Sequence, residues 1–420
     1  MEADRTTFRA VFAVREFRAL WAAEALSQAG DQVARVALAV LVYGATESAA
    51  LAGLTYALTL APSFLGGVFL SGLADRFPRR AVMIVADVAR AVFIALAAVP
   101  GLPFWVLCVL VGLVSFVQAP FKAAQLALLP DVLPGDKYVV GMSIRTITMQ
   151  TAQMLGFAGG GVLLTALTPS TGLLLDAASF VASALFVWFG VRSRPAAQKV
   201  ARQNGAPAPG SFATSAFAGA KLLWQDKGLR TLVVIDWLSA LLILYEGLAA
   251  PYTAELGDGP AAVGLILAAD PLGSAIGAFV FARFVPAHRR PTLLGPLTVA
   301  SCVPLLGCLF MPGLVASVVL FAVAGALGTA VTIQAMASFA RGVPDHGRAQ
   351  AMGLLQAGLA TIQGLSPLLG GLAADAVGTA RVIGLVGVLG LLIAMPAAIA
   401  WRHAITARPD VWLSPEADEK

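Results

Sequence analysis

Long apolar runs alternate with short polar interruptions along almost the whole chain. The runs fall at about residues 20–43, 50–74, 81–99, 103–128, 141–166, 172–190, 231–252, 261–282, 292–311, 314–339, 349–373 and 381–401. Each is near the roughly 20 residues a helix needs to cross a bilayer. In hydrocarbon only helices and closed barrels satisfy their own backbone. The runs lack the short two-residue alternation of barrel strands, so twelve membrane-crossing helices are predicted.

Composition narrows the class further. Of 420 residues, 59% are apolar and 12% charged, and mean hydropathy is +0.84. A soluble domain carries about 25% charge. An ordinary soluble enzyme is therefore excluded, as is a disordered chain, which would be poor in apolar residues. Cys108, Cys302 and Cys308 lie in apolar runs without metal-ligand spacing, and His288, His346 and His403 lie in polar connections. No metal site is expected. There is no G-x-x-x-x-G-K-[ST] loop and no H-E-x-x-H or G-x-S-x-G signature, so neither ATP-driven pumping nor hydrolysis is expected of the chain itself.

The net charge of +5 acquires its meaning from position. With the N-terminus in the cytoplasm, all but four of the 28 basic residues fall in cytoplasmic segments or, as Arg145 does, within a few residues of one. The exceptions are Arg381 outside and Arg35, Arg90 and Lys122 within spans. Such a bias sets membrane orientation. It predicts a multi-pass protein of the cell membrane with both termini cytoplasmic, and it removes nucleic acid as a partner. Residues 1–18 are mixed in charge without a cleavage site, so no signal peptide is expected.

The longest polar stretch is central. Residues 191–227 are predicted to be a cytoplasmic linker between an N-terminal six-helix half, 1–190, and a C-terminal half, 228–402, followed by a tail at 403–420. Part of the linker, 212–225, has the pattern of an interfacial helix. The halves carry internal echoes. Gln153–Gly161 falls 210 residues before Gln363–Gly371, Pro134 and Met142 match Pro344 and Met352 at that offset, and Glu24 matches Asp236 at 212. Two similar halves are the layout of a transporter with a pathway between them.

The loop after the second span reads Ser71–Gly72–Leu73–Ala74–Asp75–Arg76–Phe77–Pro78–Arg79–Arg80. It resembles the G-x-L-A-D-R-x-G-R-R motif of the major facilitator superfamily, with Ser71 and Pro78 where that pattern has Gly. Gly30–Asp31–Gln32, Val82–Asp87, Leu128–Pro134 and Leu175–Phe180 are similar to its drug and siderophore exporter branch. The resemblance covers most of 15–195 and is fainter beyond. It implies an all-α integral membrane fold of two pseudo-symmetric six-helix halves, with Asp75, Arg76, Arg79 and Arg80 as a gating motif. The run Gly156, Gly160, Gly161 is similar to the fifth-helix motif of antiporting members, with Phe157 replacing the usual Pro, and Pro367, Gly370 and Gly371 form its counterpart. Close packing of small residues is an equal reading of these hinge candidates.

Charges inside the bilayer are costly and so are functional candidates. Asp31 lies near mid-membrane with Arg35 one turn on, a spacing that allows pairing along one face. Glu246 and Asp270 have no basic neighbour in sequence. These four are the proton-coupling candidates. Glu24, Asp87, Arg90 and Lys122 fall toward the cytoplasmic ends of the first, third and fourth spans and form a predicted inner charge cluster. The resulting expectation is a monomeric secondary transporter that exports a hydrophobic or amphipathic small molecule in exchange for protons. The lipid bilayer is its solvent, the proton gradient its drive, and no cofactor is needed. Metabolite uptake, a membrane-embedded enzyme or lipid flippase, and a non-transporting scaffold are the rival readings.

Overall fold

The computed structural model describes residues 8–70, 72–195, 226–343 and 348–413, apart from the side chains of Asp75, Asp136, Val139 and 348–350. The predicted interfacial helix at 212–225 and most of the linker lie outside the described residues, as do 414–420. Among the described residues the chain is helical, without strands. Nine helices are long and apolar enough to cross a membrane. These are α2 (Ala49–Leu70), α4 (Phe104–Val132), α6 (Pro169–Gly190), α7 (Lys227–Glu246), α8 (Pro260–Phe284), α9 (Ala287–Phe310), α10 (Leu314–Gly342), α11 (Arg348–Val377) and α12 (Thr379–Ala407). Three more are long enough but carry charge that lowers their hydropathy: α1 (Arg15–Thr46), α3 (Arg79–Ala97) and α5 (Asp136–Leu163). Together they accommodate the twelve predicted crossings.

Several helices depart from the predicted spans for local reasons. The second span breaks at Thr59–Leu60, just before Pro62. The seventh tightens into a 3-10 turn at Ile243–Glu246 and resumes as Ala249–Glu255. Gly247 separates the two pieces, a position where helix propensity is low. Proline is carried inside α4, α8, α9, α11 and α12. Packed neighbours can satisfy the backbone groups that proline frees within a membrane.

The chain divides into two compact units. One gathers α1 through Ala45, Leu58 onward through α6, and Gly259–Ala268. The other gathers Thr46–Ala57, α7 through Asp258, and Ala269 onward. The first unit's core includes Phe17, Leu20, Met83, Phe121, Leu128 and Val187. The second unit's core includes Leu232, Ile235, Phe339, Leu355, Trp401 and Trp412. Phe189, Phe279, Val315 and Leu392 are largely exposed, an arrangement that suits hydrocarbon rather than water.

Carboxylates cap two helices of the second unit. Asp375 accepts from the N–H groups of Ala49 and Ala50 at 2.6 and 3.2 Å and from the Ser48 hydroxyl at 2.7 Å. Glu255 accepts from the N–H groups of Thr379 and Ala380 at the start of α12. Each meets orphan donors and the positive end of a helix dipole with a negative charge.

Candidate functional site: buried polar networks

In the first unit the charges converge on one guanidinium. Arg90 is fully buried in α3 and lies 3.9 Å from the centroid of the Phe180 ring. Its Nη2 donates to both oxygens of Asp31 at 2.9 and 3.0 Å. Its Nη1 lies 3.5 Å from Asp87, one turn earlier in the same helix. Asp87 also accepts from the Ser183 hydroxyl at 2.6 Å. Gln118 approaches Asp31 at 3.4 Å. Asp31, Arg35, Arg90, Gln118 and Asp176 line a cavity of about 30 Å³.

These contacts redraw the predicted groups. The guanidinium bonded to Asp31 comes from Arg90, 59 residues away, while Arg35 lines the same cavity. The inner cluster divides. Asp87 and Arg90 join Asp31, whereas Glu24 is held by Arg145, whose Nε donates to both carboxylate oxygens at 2.8 and 2.6 Å. Arg145 also reaches Gln125 at 3.4 Å. Lys122 on α4 lies within electrostatic reach of Asp31, Arg35, Arg90 and Glu24. By sequence Arg145 counts with the cytoplasmic set, because it lies only a few residues inside its span. A partner 121 positions away leaves no local signal.

The second unit answers its acids with hydroxyls. Tyr56 donates to Glu246, and Tyr245 donates to Asp270 at 3.0 Å. Ser274 donates to Asp270 at 3.1 Å, and the Tyr245 ring stacks on Phe321 at 4.0 Å. Asp270 and Tyr245 line a second small cavity, about 80 Å³, with Ser239, Ser301, Thr329 and Thr332. Asp236 is buried in α7, and neither of its carboxylate oxygens has a partner among the described residues.

The loop motif is anchored at its basic end. Arg79 donates to the carbonyl of Ala127 and to Asp131, both at 2.8 Å, tying the start of α3 to the end of α4. Arg80 donates to the carbonyl of Trp188 and lies over its ring. Arg76 is exposed, and the Asp75 side chain lies outside the described residues. The glycine candidates stand at close backbone approaches. A Cβ on Gly161 would meet Gly264 at 2.7 Å, one on Gly156 would meet Ala29 at 2.8 Å, and Gly160 faces Val33. In the second unit Gly371 abuts Ala49 and Ala50, Gly370 abuts Leu244, and Pro367 abuts Gly53 and Gly247.

Outside the membrane, Asp226 caps α7 by accepting from Gly228 and Leu229 at 2.7 and 3.1 Å, and it pairs with Arg408. Burial raises its carboxyl, but the bonds from Arg408 and from the two N–H groups prevail and hold it below the ordinary value.

Twelve segments of crossing length, two compact units and ionised pairs sealed among apolar helices define a multi-pass membrane protein of the solute-transporter class. The Major Facilitator Superfamily profile matches residues 20–247 and 246–419, so the chain belongs to that superfamily. An uncharacterized MFS-type transporter of Bacillus subtilis, YjbB, is 28% identical over 61% of this chain; the match spans 62% of that protein, less than two thirds of its length. The multidrug efflux pump Tap of Mycobacterium tuberculosis is 26% identical over 71% of this chain and 73% of its own. Tap of Mycolicibacterium fortuitum is 24% identical over 83% and 87%. Among solved structures, a bacterial homolog of the human lysosomal transporter Spinster superposes with a TM-score of 0.71 at 14% identity, covering 95% of this chain and 98% of that one. The nucleoside transporter NupG gives 0.70 at 16%, covering 93% and 99%. At such identities the likeness is one of fold.

Proposed function

We propose that this transporter exports a hydrophobic or amphipathic small molecule in exchange for protons. It works as a monomer in the cell membrane, with both termini in the cytoplasm. The observation that carries the proton part is the set of acids within the spans. Asp31 sits on a buried guanidinium, while Glu246 and Asp270 are met by tyrosine and serine hydroxyls. An acid so placed changes the charge of an apolar interior each time it gains or loses a proton, at a cost large enough to drive a conformational preference. The likeness to multidrug efflux pumps supports the outward direction and an amphipathic cargo. Asp75, Arg76, Arg79 and Arg80 serve as the cytoplasmic gate, and the glycines at 156, 160, 161, 370 and 371 let helices move in close contact.

Proteoliposomes loaded with a pH gradient test this reading with ethidium as the probe. Accumulation of ethidium that collapses when a protonophore dissipates the gradient is expected. Movement indifferent to the protonophore overturns proton exchange. Coupled movement that survives Asp31→Asn removes Asp31, and the hold it has on Arg90, from the coupling machinery.

A further inference from the structure

Asp176 is absent from the predicted site residues, yet it is the most deeply enclosed acid of the first unit after Asp87. Only 1% of its surface is exposed, in the second turn of α6. It faces the Gly30 segment of α1, where a Cβ would fall 2.6 Å from its Oδ1. Its side chain accepts from the Ser179 hydroxyl at 3.1 Å. That hydroxyl has one hydrogen, and the Asp176 carbonyl competes for it at 2.8 Å. No ion pair joins Asp176 to any described residue. Arg90, the nearest guanidinium bonded to an acid here, is already divided between Asp31 and Asp87.

The groups that face Asp176 can be counted element by element. From α1 come Asp31 and Arg35, from α3 Arg90, whose other face meets Asp87, and from α4 the neutral Gln118. Lys122 of α4 does not line the cavity, but its ammonium lies within electrostatic reach of Asp31, Arg35 and Arg90. Three carboxylates therefore stand among two guanidinium groups and one ammonium, and Asp176 is the one that no ion pair among the described residues reaches. Keeping a buried carboxylate charged in an apolar bundle with only a serine hydroxyl on it is costly, and one proton removes that cost. Asp31 accepts twice from Arg90, and Asp87 shares the same guanidinium. Asp176, without a cation in bonding reach, is the acid left to take the proton. The cavity they share, about 30 Å³, has room for a water that could carry the proton onward.

We propose that Asp176 is the proton-carrying carboxylate of this unit, exchanging its proton through the cavity it shares with Asp31, Arg35 and Arg90. On release the O–H bond at Asp176 breaks, the proton passes to water in the cavity, and the carboxylate left behind faces the two guanidinium groups. On loading the same bond re-forms. Asp31 acts as a positioning residue, holding Arg90 at the cavity wall. The proposal rests on the proton-exchange reading above for its use in transport, but not for its chemistry.

Infrared difference spectra of the purified full chain in lipid, taken across a pH step, read the chemistry directly. The wild type is expected to show the carbonyl stretch of a neutral carboxylic acid, and Asp176→Asn to lose it. Retention of that band in full in Asp176→Asn overturns the proposal. If the Asn variant does not remain monodisperse, Asp176→Glu decides, because a longer acid at the proton site must shift the band and an unshifted band refutes the assignment. In proteoliposomes, Asp176→Asn is expected to lose gradient-driven ethidium accumulation. Gradient-driven accumulation that persists in Asp176→Asn overturns the role of Asp176 in coupling. Wild-type liposomes that never accumulate ethidium under the gradient would instead refute proton exchange, with the infrared band still reporting on Asp176.

Discussion

Arg90→Gln is expected to be among the most damaging single changes in the first unit. The guanidinium is 2% exposed in its side chain and neutralises Asp31 at 2.9 Å and Asp87 at 3.5 Å. Removing one partner of a buried ion pair costs about 3–5 kcal/mol. An independent bound comes from the acids left behind, which can take protons instead of remaining charged. Neutralising an ordinary carboxyl of reference pKa about 3.9 costs about 4 kcal/mol at pH 7, and about 1.5 kcal/mol at pH 5. The two estimates agree on a loss of about 4 kcal/mol at pH 7 for the first abandoned acid. They also fix the sign of the pH dependence. The loss shrinks as pH falls, because the abandoned acids are neutralised more cheaply. Equilibrium unfolding of the purified chain in mixed micelles, followed at pH 7 and pH 5, measures both. The double variant Asp31→Asn/Arg90→Gln should recover a large part of the loss, since contacting groups are not additive. A loss below about 1 kcal/mol at pH 7, a loss that does not change with pH, or strict additivity in the cycle would refute the account of Arg90 as the shared counter-ion.

Three further outcomes follow from single contacts. Asp375→Ala removes the cap that meets Ala49, Ala50 and Ser48, and should cost about 1 kcal/mol, read as a lower unfolding midpoint. Asp236→Leu replaces a buried acid with no partner among the described residues by an apolar side chain of similar bulk, and should leave stability unchanged or raise it by about 1–3 kcal/mol in the same titration. Asp226 has its carboxyl held below the ordinary value, so its contribution to stability is complete above the unfolded pKa of about 4. It is lost as pH falls through the lower native value. Thermal unfolding of wild type and Asp226→Asn should therefore converge only in acid, and a gap that widened on acidification would contradict the assignment.

The sequence made the architecture legible because its signals there are local. Each crossing is a contiguous apolar run, and its length alone identifies it. Helix breaks are less visible. The interruption at Thr59–Leu60 and the 3-10 turn at Ile243–Glu246 lie inside runs whose hydropathy never falters. The polar residues of the site are legible as candidates, but their partners are not. Asp31 finds Arg90 across 59 residues and Glu24 finds Arg145 across 121, and helix periodicity carries no information at such separations. Asp176 is hidden for a different reason. It stands within the segment that resembles the exporter branch, and nothing local distinguishes an acid at a helix start, where a dipole would welcome it, from one turned into the bundle.

The internal repeat gives a physical reason why the two units treat their acids differently. Glu24 and Asp236 occupy matching positions at an offset of 212, and both are buried. At the neighbouring offset of 210, the position matching Arg145 is Leu355, which lies in the apolar core of the second unit. There the Leu355 carbonyl accepts from Trp237 Nε1 at 3.1 Å instead. The second copy has the acid without the base. Its other buried acids, Glu246 and Asp270, likewise meet tyrosine and serine hydroxyls where Asp31 and Glu24 meet guanidinium groups. A hydroxyl can donate to a carboxylate and accept from a carboxylic acid, so it tolerates either protonation state, whereas a guanidinium can only donate and favours the ionised one. The first unit thus gives Asp31 and Glu24 guanidinium partners and leaves Asp176 without an ion pair among the described residues. The second gives Glu246 and Asp270 hydroxyl partners, which suit either state.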